Sequence, residues 1–374
     1  MSFRIVVLGG YGHFGARIAR ALARDAGMEV TVVGRDPARA ADTAAAIALE
    51  CGQRVDAAAF DVTARDIGAR FRLLEPNLVI HTCGPFQARD HGVARAALSV
   101  GAHYVDLADA RKFVCGIRAI DDAARSRELL VVSGASSVPG LSSAVLDAFA
   151  HEFDALQSID FGIAPGNRAP RGSATIASVA SYVGRQFGVW DGGVWQPAYG
   201  WQRLRRHRYP PRVGSRWLAD CDIPDLELFP ERYPGVQSVR FGAGLELPIL
   251  HFGLWLLSWP SRWRWIKRLE SHTEHLRRSS GWFARRGSDV GAMHVEMDGF
   301  RRGHRLGLVW TLVAGHGDGP QVPCTASIII ARKLAAGTLA ARGAMPCVGL
   351  FSLEECLREF EGYDITTMVE RTLI

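Results

Sequence analysis

The chain has 374 residues, which is enough for two domains. Its residues are 48% hydrophobic and 22% charged, the balance of an ordinary globular protein. Seven cysteines without a C-x-x-C pair, and no H-E-x-x-H spacing, exclude a disulfide framework and the common metal motifs. We therefore expect free thiols and no metal. Because Met1 runs almost directly into an apolar segment, without a signal peptide, we expect a cytoplasmic protein.

The charge and the tryptophans are unevenly distributed along the chain. The formal net charge is +6, but residues 201–286 carry sixteen Arg or Lys against eight Asp or Glu, a local excess of +8 that leaves the rest near −2. All ten tryptophans lie at or after Trp190. This shift in composition indicates a second domain with a different role.

The first half of the chain alternates between strand-like and helix-like patterns. Such alternation is typical of βαβ units, so we predict a doubly wound parallel sheet, an α/β fold of the Rossmann type. The predicted strands are 4–8, 29–33, 55–60, 77–82, 102–106 and 129–133. The predicted helices are 14–26, 37–50, 64–74, 88–100, 110–113 with 116–127, and 141–152.

A glycine-rich turn joins the first predicted strand to the first predicted helix. It has the form G-x-G-x-x-G, and its residues are Gly10, Gly12, His13, Phe14 and Gly15. The first glycine allows a tight turn, the second lets the backbone approach a phosphate, and the third lets the helix pack closely. The helix N-terminus adds N–H groups and a positive dipole end. The pattern predicts a dinucleotide site, and the alternative is a buried turn without a ligand.

The end of the second strand predicts which dinucleotide binds. Arg35 lies twenty residues past Gly15, where an acidic residue would bind the ribose hydroxyls of NAD and an arginine accommodates the 2′-phosphate of NADP. We therefore predict NADP. Asp36 follows directly and could still face the ribose, which leaves NAD as the alternative.

Other strand ends should line the same crevice, because ligands bind at the carboxyl edge of such sheets. We predict cofactor contacts from three groups of residues: Gly84, Pro85 and Phe86 beside the nicotinamide ribose, Pro139 and Gly140 in a glycine- and serine-rich loop, and Asp61 with Val62 near the adenine. Asp61 could alternatively be a simple cap.

Hydride transfer to an imine or a carbonyl requires a nearby proton donor. The candidates at the strand ends are Tyr104, Asp106, Asp109 and Cys83. Three of them also have a structural interpretation: Tyr104 as a core tyrosine, Asp106 as a cap of the neighbouring loop, and Cys83 as a buried small hydrophobe. His81, inside a strand, is expected to be a core histidine.

The second half has a different pattern. Predicted strands at 159–163, 236–241, 291–300, 306–315 and 322–330 suggest a mostly antiparallel sheet, with a hairpin turn at 301–305. Predicted helices are 172–187, 326–337, 352–361 and 365–371. We therefore predict a Rossmann domain over 1–150, an α+β domain over 151–345 with a Trp/Arg-rich insertion at 201–286, and a helical segment over 346–374.

Two stretches of the insertion are chemically distinctive. Residues 247–268 combine four tryptophans with arginine and lysine, yet the uncharged part is too short to cross a membrane. A dimer interface, a lid and peripheral contact with the inner membrane face are the alternatives. Six arginines between Trp201 and Trp217 predict a solvated loop or an anion-binding patch, and no nucleic-acid-binding signature accompanies them.

Together, the motifs Gly9–Gly15, Gly84-Pro85-Phe86, Tyr104-Val105-Asp106 and Pro139–Ser142 resemble the saccharopine dehydrogenase-like oxidoreductases. The resemblance extends more weakly to Asp318-Gly319-Pro320 and 343–350. It implies a Rossmann domain followed by an α+β domain that mediates dimerisation, and a reaction on an imine or on a double bond of a lipid intermediate.

We therefore expect an NADP-dependent oxidoreductase that reduces an imine or activated double bond, with a hydrophobic or lipid-like substrate, as a homodimer. One alternative is an imine reductase acting on amino acids or polyamines. The other is an NADP-binding scaffold or redox sensor without turnover.

Overall fold

The computed structural model describes residues 2–87, 89–169, 173–266, 269, 281–283 and 285–373, without the side chains of 173–176. The chain forms two compact units, one of residues 1–144 with 321–359 and the other of 145–320 with 360–374. The predicted division at 150 lies near the first of these boundaries. Residues 321–359, which the sequence assigns to the second domain and the terminal segment, instead belong to the first unit.

The first unit is built on a seven-stranded parallel sheet, in the order β15-β6-β5-β4-β1-β2-β3. Its strands, numbered in chain order, are β1 Phe3–Leu8, β2 Met28–Gly34, β3 Val55–Ala59, β4 Leu78–His81, β5 His103–Asp106, β6 Leu130–Ser133 and β15 Gly343–Pro346. The four residues of β4 and of β6 are all buried, as expected for strands covered on both faces. The six predicted strands are confirmed, and β15 is an additional edge strand.

Helices cover both faces of this sheet. Those before residue 150 are α1 Gly15–Leu22, α2 Pro37–Cys51, α3 Ile67–Leu74, α4 Gly92–Ser99, α5 Arg111–Gly116, α6 Asp121–Arg125 and α7 Ser142–Phe149. The start of α2 shows why the chain turns into a helix there: Asp36 is the N-cap and Pro37 occupies the first turn. The helix ends at Gly52, which adopts a left-handed conformation.

Residues 321–359 close the edge of the first unit. Helix α11, Thr325–Ala335, is buried from Thr325 through Ala331, and α12, Leu353–Glu359, follows β15. Arg332 of α11 binds the carboxylates of Asp25 and Glu359. The predicted strand 322–330 is wrong. A short apolar run that is buried all round has no readable periodicity, and here it forms a 3-10 turn followed by α11.

The second unit contains a nine-stranded mixed sheet. Its main path is β10-β11-β12-β7-β13-β14-β16, with β8 pairing with β12 and β9, and only the β12–β7 pair in this path is parallel. The strands are β7 Ala155–Ala164, β8 Gln186–Asp191, β9 Val194–Tyr199, β10 Arg205–Arg208, β11 Ser215–Asp220, β12 Ser238–Ala243, β13 Gly291–Arg301, β14 His304–Ala314 and β16 Ile365–Leu373. The helices are α8 Ser173–Tyr182, α9 Asp225–Arg232 and α10 Pro248–Arg262. The predicted fold class, a Rossmann-type sheet plus a mostly antiparallel sheet, is confirmed.

Two predictions for this unit have opposite outcomes. The hairpin is confirmed: β13 and β14 meet at Arg302-Gly303, with φ values of 51° and 81°, the left-handed pair of a tight hairpin turn. The predicted helix 365–371 is wrong, because these residues form β16 and pair with β14. Their alternating exposure is that of an edge strand.

No helix in the described ranges is long and apolar enough to cross a membrane.

Candidate functional site

The glycine turn after β1 has no room for side chains. An ideal Cβ on Gly15 would lie 2.2 Å from the carbonyl oxygen of Gly9, and one on Gly12 would lie 2.9 Å from the same atom. A Cβ on Gly10 would lie 2.8 Å from the oxygen of Val7. All three predicted glycines are therefore required by close backbone approach, which also leaves the first turn of α1 open to a phosphate.

The two residues between the last glycines, His13 and Phe14, are half-buried. Phe14 is the N-cap of α1, and its carbonyl accepts from Ile18 N at 3.0 Å. Cys324, just before α11, contacts the same carbonyl with its sulfur at 3.7 Å. The downstream segment thus supports the back of the glycine turn.

At the end of β2, Tyr11 lies against Gly34. An ideal Cβ on Gly34 would lie 1.9 Å from the tyrosine ring, so the contact requires glycine there. The Tyr11 hydroxyl accepts the backbone N–H groups of Arg35 (3.1 Å) and Asp36 (3.2 Å). The Arg39 guanidinium lies over the Tyr11 ring, 4.5 Å from its centroid. Two exposed arginines, Arg35 and Arg39, therefore flank Tyr11 at this strand end.

The carboxylate of Asp36 is already engaged. Its Oδ1 accepts the backbone N–H groups of Ala38 at 3.0 Å and of Arg39 at 3.2 Å, so it caps α2. The sequence left Asp36 open as a ribose-binding residue. The geometry instead gives it a helix-capping role.

Sequence reasoning missed Tyr11 and Arg39. Arg39 lies one helical turn after Arg35, a spacing that is visible in the sequence. The Tyr11–Gly34 contact joins residues from two different loops, so it could not be read from the sequence.

The ends of β3 and β4 reach the same edge of the sheet. Thr82 Oγ1 donates to Leu8 O at 2.8 Å, which ties β4 to the glycine turn. The Cys83 sulfur would lie 3.0 Å from a Cβ on Gly9. Burial raises the pKa of Cys83 to about 12, so its thiol stays protonated at neutral pH and is not a nucleophilic thiolate.

After β3, Asp61 is exposed, next to the half-buried Val62. The Thr63 backbone N–H and hydroxyl both donate to Asp61 Oδ1, at 2.8 and 2.7 Å. These bonds lower the pKa of Asp61, and the positive charges of Arg35 and Arg89 lower it further. Asp61 is therefore a charged group within the electrostatic range of Arg35.

Asp106, at the end of β5, is fully buried. Its Oδ1 accepts three hydrogen bonds, from Ala108 N (3.0 Å), Ser133 Oγ (2.9 Å) and Gly134 N (2.9 Å). Burial raises its pKa to about 6, although these hydrogen bonds pull in the opposite direction. Asp106 thus joins the loop after β5 to the loop after β6.

Tyr104 is also fully buried, and its hydroxyl lies 2.9 Å from His81 Nδ1. Burial lowers the pKa of His81 to about 3, so the imidazole is neutral. Burial, with the charge of Asp106, raises the pKa of Tyr104. The predicted pair Tyr104 and Asp106 is therefore one buried cluster below the sheet edge, where it orders the loops.

The remaining predicted cofactor contacts separate into open and buried positions. Pro85 is exposed and Gly84 half-buried, whereas Phe86 lies in the core against His81 and Phe113. Pro139 and Gly140 are buried. A Cβ on Gly140 would lie 3.1 Å from that of Ala326, so this glycine allows close packing of α11.

In the second unit, the arginine-rich run 203–216 forms the β10–β11 hairpin and its flanks rather than a plain loop. Four of its six arginines bind carboxylates of the protein itself. The pairs are Arg203 with Asp191 and Asp220, Arg205 with Asp160 and Asp220, Arg212 with Asp364, and Arg216 with Glu246.

The same hairpin carries a buried polar cluster. The Tyr209 hydroxyl lies 2.8 Å from His294 Nδ1, and the His207 ring stacks on His294 with 3.6 Å between centroids. Burial lowers the pKa of His294, which keeps it neutral between Tyr209 and Asp160. Tyr209 belongs to an apolar core cluster, so this arrangement orders the sheet.

The parallel sheet and the glycine turn define the first unit as a nicotinamide-dinucleotide-binding domain. Comparison with known proteins agrees: residues 5–132 match the family model of the saccharopine dehydrogenase NADP binding domain. The resemblance to the saccharopine dehydrogenase-like oxidoreductases is therefore confirmed for this part of the chain.

Two solved structures share the fold over the whole chain. Apo saccharopine dehydrogenase (L-Glu forming) from Saccharomyces cerevisiae has 13% identity and a TM-score of 0.69, covering 99% of this chain and 100% of that one. Homospermidine synthase from Legionella pneumophila, in complex with NAD, has 11% identity and a TM-score of 0.59, covering 100% and 92%. At these identities the likeness establishes the fold. No curated protein sequence matches the chain.

Proposed function

We propose that the protein is an NADP-dependent oxidoreductase. The observation that carries this proposal is the arrangement at the end of β2, where Arg35 and Arg39 flank Tyr11 while the Asp36 carboxylate caps α2. Guanidinium groups are well suited to bind a phosphate through paired hydrogen bonds. An arginine at this strand end accommodates the 2′-phosphate of NADP, whereas NAD binding would use a carboxylate that accepts from the ribose hydroxyls.

Each part of the site has a distinct task in this proposal. The glycine turn and the first turn of α1 bind the pyrophosphate. When bound, the cofactor supplies the hydride. Asp106 is a positioning residue that fixes the loops after β5 and β6 through its three hydrogen bonds. Gly84 and Pro85 border the nicotinamide end.

The proposed substrate is an imine or an activated double bond on a hydrophobic or lipid-like molecule. Four arginines of the 203–216 run already bind carboxylates of the protein. They are therefore poorly suited to bind the carboxylates of an amino-acid substrate. This observation favours an apolar substrate over a soluble dicarboxylate.

The cofactor proposal is tested by titration calorimetry with NADPH and NADH. We expect wild-type protein to prefer NADPH. Loss of one charge-assisted hydrogen bond is worth about 1.5 to 3 kcal/mol, so Arg35→Ala and Arg39→Ala should each weaken NADPH binding about 10- to 100-fold and leave NADH nearly unchanged.

The matched control is Arg72→Ala. Arg72 is an exposed arginine in the last turn of α3. The last turn of a helix that follows a parallel strand lies at the opposite edge of the sheet. This variant should bind NADPH like the wild type. Equal wild-type affinity for both cofactors would refute the NADP preference, and binding of neither would refute the dinucleotide site.

Turnover is tested by following NADPH absorbance with two substrate panels. One contains acyl thioesters with a conjugated double bond and long-chain aldehydes with amines. The other contains soluble keto acids with amino acids or polyamines. Oxidation only in the first supports the proposal, oxidation only in the second refutes the apolar substrate, and tight NADPH binding with no oxidation in either refutes turnover.

A further inference from the structure

Helix α10 packs Leu254, Trp255 and Leu257 against the core of the second unit and also exposes large apolar side chains on its outer face. His251, Ser258 and Ser261 are buried, whereas Ile249 and Leu256 are each 61% exposed. At 100° per residue, the three polar side chains lie on the face opposite the two apolar ones. A helix that presents large apolar side chains on its outer face offers that face to a partner.

Each polar side chain of the inward face forms a hydrogen bond within the second unit, and His251 Nδ1 accepts from Leu245 N at 3.3 Å. Ser261 Oγ donates to Val183 O at 2.8 Å, and Gln202 Nε2 donates to Ser258 Oγ at 3.2 Å. The carbonyl of His251 accepts from Trp201 Nε1 at 3.0 Å. Turning the helix over would break these bonds in a buried environment, so the outward direction of the apolar face is fixed.

Tryptophans continue the exposed apolar face beyond the end of α10. Trp263 lies fourteen residues after Ile249, on the same stripe as Leu256, and is 55% exposed, while Trp265 is 77% exposed. The rings of Trp259, Trp263 and Trp265 lie in a row, 5.8 and 5.4 Å between successive centroids. Tryptophan is the side chain that favours the boundary between lipid headgroups and acyl chains.

Positive charge lies next to the exposed tryptophans in the sequence. Arg264 lies between the two exposed tryptophans and is itself exposed. Arg285 and Arg286, further along the chain, are exposed as well. Residues 247–269 contain four Arg or Lys and no Asp or Glu, and the next acidic residues in the sequence are Glu270 and Glu274. The charge is therefore complementary to an anionic surface.

We propose that α10 and Trp263–Trp265 dock the protein on an anionic lipid surface, with the helix lying in the plane of the interface. Fifteen residues of helix span about 22 Å, shorter than the roughly 30 Å hydrocarbon core, and the face that carries the buried polar side chains remains on the protein side. This docking goes beyond the proposed redox function and does not depend on which cofactor binds.

Vesicle co-sedimentation of the full chain tests the proposal. We expect the protein to bind vesicles of phosphatidylcholine with phosphatidylserine. The partition coefficient should be lower by about 10-fold or more for vesicles of phosphatidylcholine alone, and likewise for the anionic vesicles at high salt. Leu256→Ser and the double variant Trp263→Ser/Trp265→Ser should each lower the partition coefficient, the double variant by about 10-fold or more.

Leu49→Ser is the matched control, because Leu49 is an exposed leucine on α2 of the first unit. It should bind vesicles like the wild type. All variants should keep wild-type circular dichroism and NADPH affinity, which separates failure of docking from failure of the cofactor proposal.

Wild-type protein that ignores anionic vesicles would overturn the proposal, as would vesicle binding unchanged by the tryptophan substitutions. Light scattering supplies the third outcome. If the double variant turns a dimer into a monomer and the wild type binds no vesicles, the apolar face is an interface between two copies of the chain, and the lipid proposal is wrong.

Discussion

Replacing Asp106 with asparagine removes a buried negative charge while keeping the shape of the side chain. The shift of its pKa from 3.8 to about 6 corresponds to about 3 kcal/mol, at about 1.4 kcal/mol per pKa unit. Because burial raises the folded pKa above the unfolded one, the folded state binds this proton more tightly. Protonated Asp106 therefore makes its whole contribution to the free energy of unfolding below about pH 4, and this contribution is lost as the pH rises through about 6.

We therefore expect Asp106→Asn to be more stable than the wild type at pH 7, and to lose most of that advantage at pH 4. An asparagine oxygen can still accept from Ala108, Ser133 and Gly134. Asp106→Ala cannot, and leaving these buried donors without an acceptor should destabilise the fold by about 3 kcal/mol or more at every pH.

The assay is urea unfolding of wild type and variants from pH 4 to pH 8, followed by fluorescence and circular dichroism. Asp42→Asn is the control, since Asp42 is exposed on α2 and its substitution should leave the free energy of unfolding close to that of the wild type. If Asp106→Asn is less stable than wild type at pH 7, the three donors outweigh desolvation and the carboxylate is ionised without penalty, and the reasoning is refuted.

Two further predictions concern the packing of the first unit. Gly15→Ala should abolish NADPH binding in calorimetry and lower the thermal midpoint, because its Cβ would lie 2.2 Å from the Gly9 oxygen. Gly68→Ala, in α3, should be neutral or stabilising by about 0.5–1 kcal/mol, because its Cβ would make an ordinary contact of 3.7 Å with Ser99 Oγ; equal effects of the two substitutions would contradict the close-approach argument. Arg332→Ala leaves two carboxylates without their shared partner, so it should lower the free energy of unfolding by about 1–3 kcal/mol in thermal unfolding. The control is Arg358→Ala, which removes an exposed ion pair within α12 and should change the free energy of unfolding by about 0.5 kcal/mol or less. Similar losses in both arginine variants would show that Arg332 does not join the C-terminal segment to the rest of the unit.

The sequence predicts the local features of this fold better than the distant ones. The glycine turn and six strands are readable because apolar runs alternate with helical periodicity. Strand β15 is not, because it has four residues, ends in proline and pairs with β6 from far along the chain. Strand β16 could have been predicted, because Ile365 to Leu373 is rich in β-branched residues, which favour a strand over the predicted helix.

The candidate site shows the same division. Arg35 follows from its spacing after Gly15, and the N-cap role of Asp36 is written in the Asp-Pro pair at the start of α2. The position of Tyr11 over Gly34 depends on how two loops meet, which no local pattern encodes. Burial of Asp106 and Tyr104 likewise follows from the packing around them and not from their own segment.

Completion of the first sheet has a consequence for how the chain is made. Strand β6 ends at residue 133 and β15 begins at 343, so 209 residues are synthesised between two neighbouring strands. At about 5–20 residues per second, this leaves an interval of about 10 to 40 s in which the β6 edge and the surface beneath α11 are uncovered on the ribosome. An uncovered edge strand readily pairs with other chains. We therefore expect the β6 edge of the nascent first unit to remain open to pairing with other chains until residue 359 has emerged.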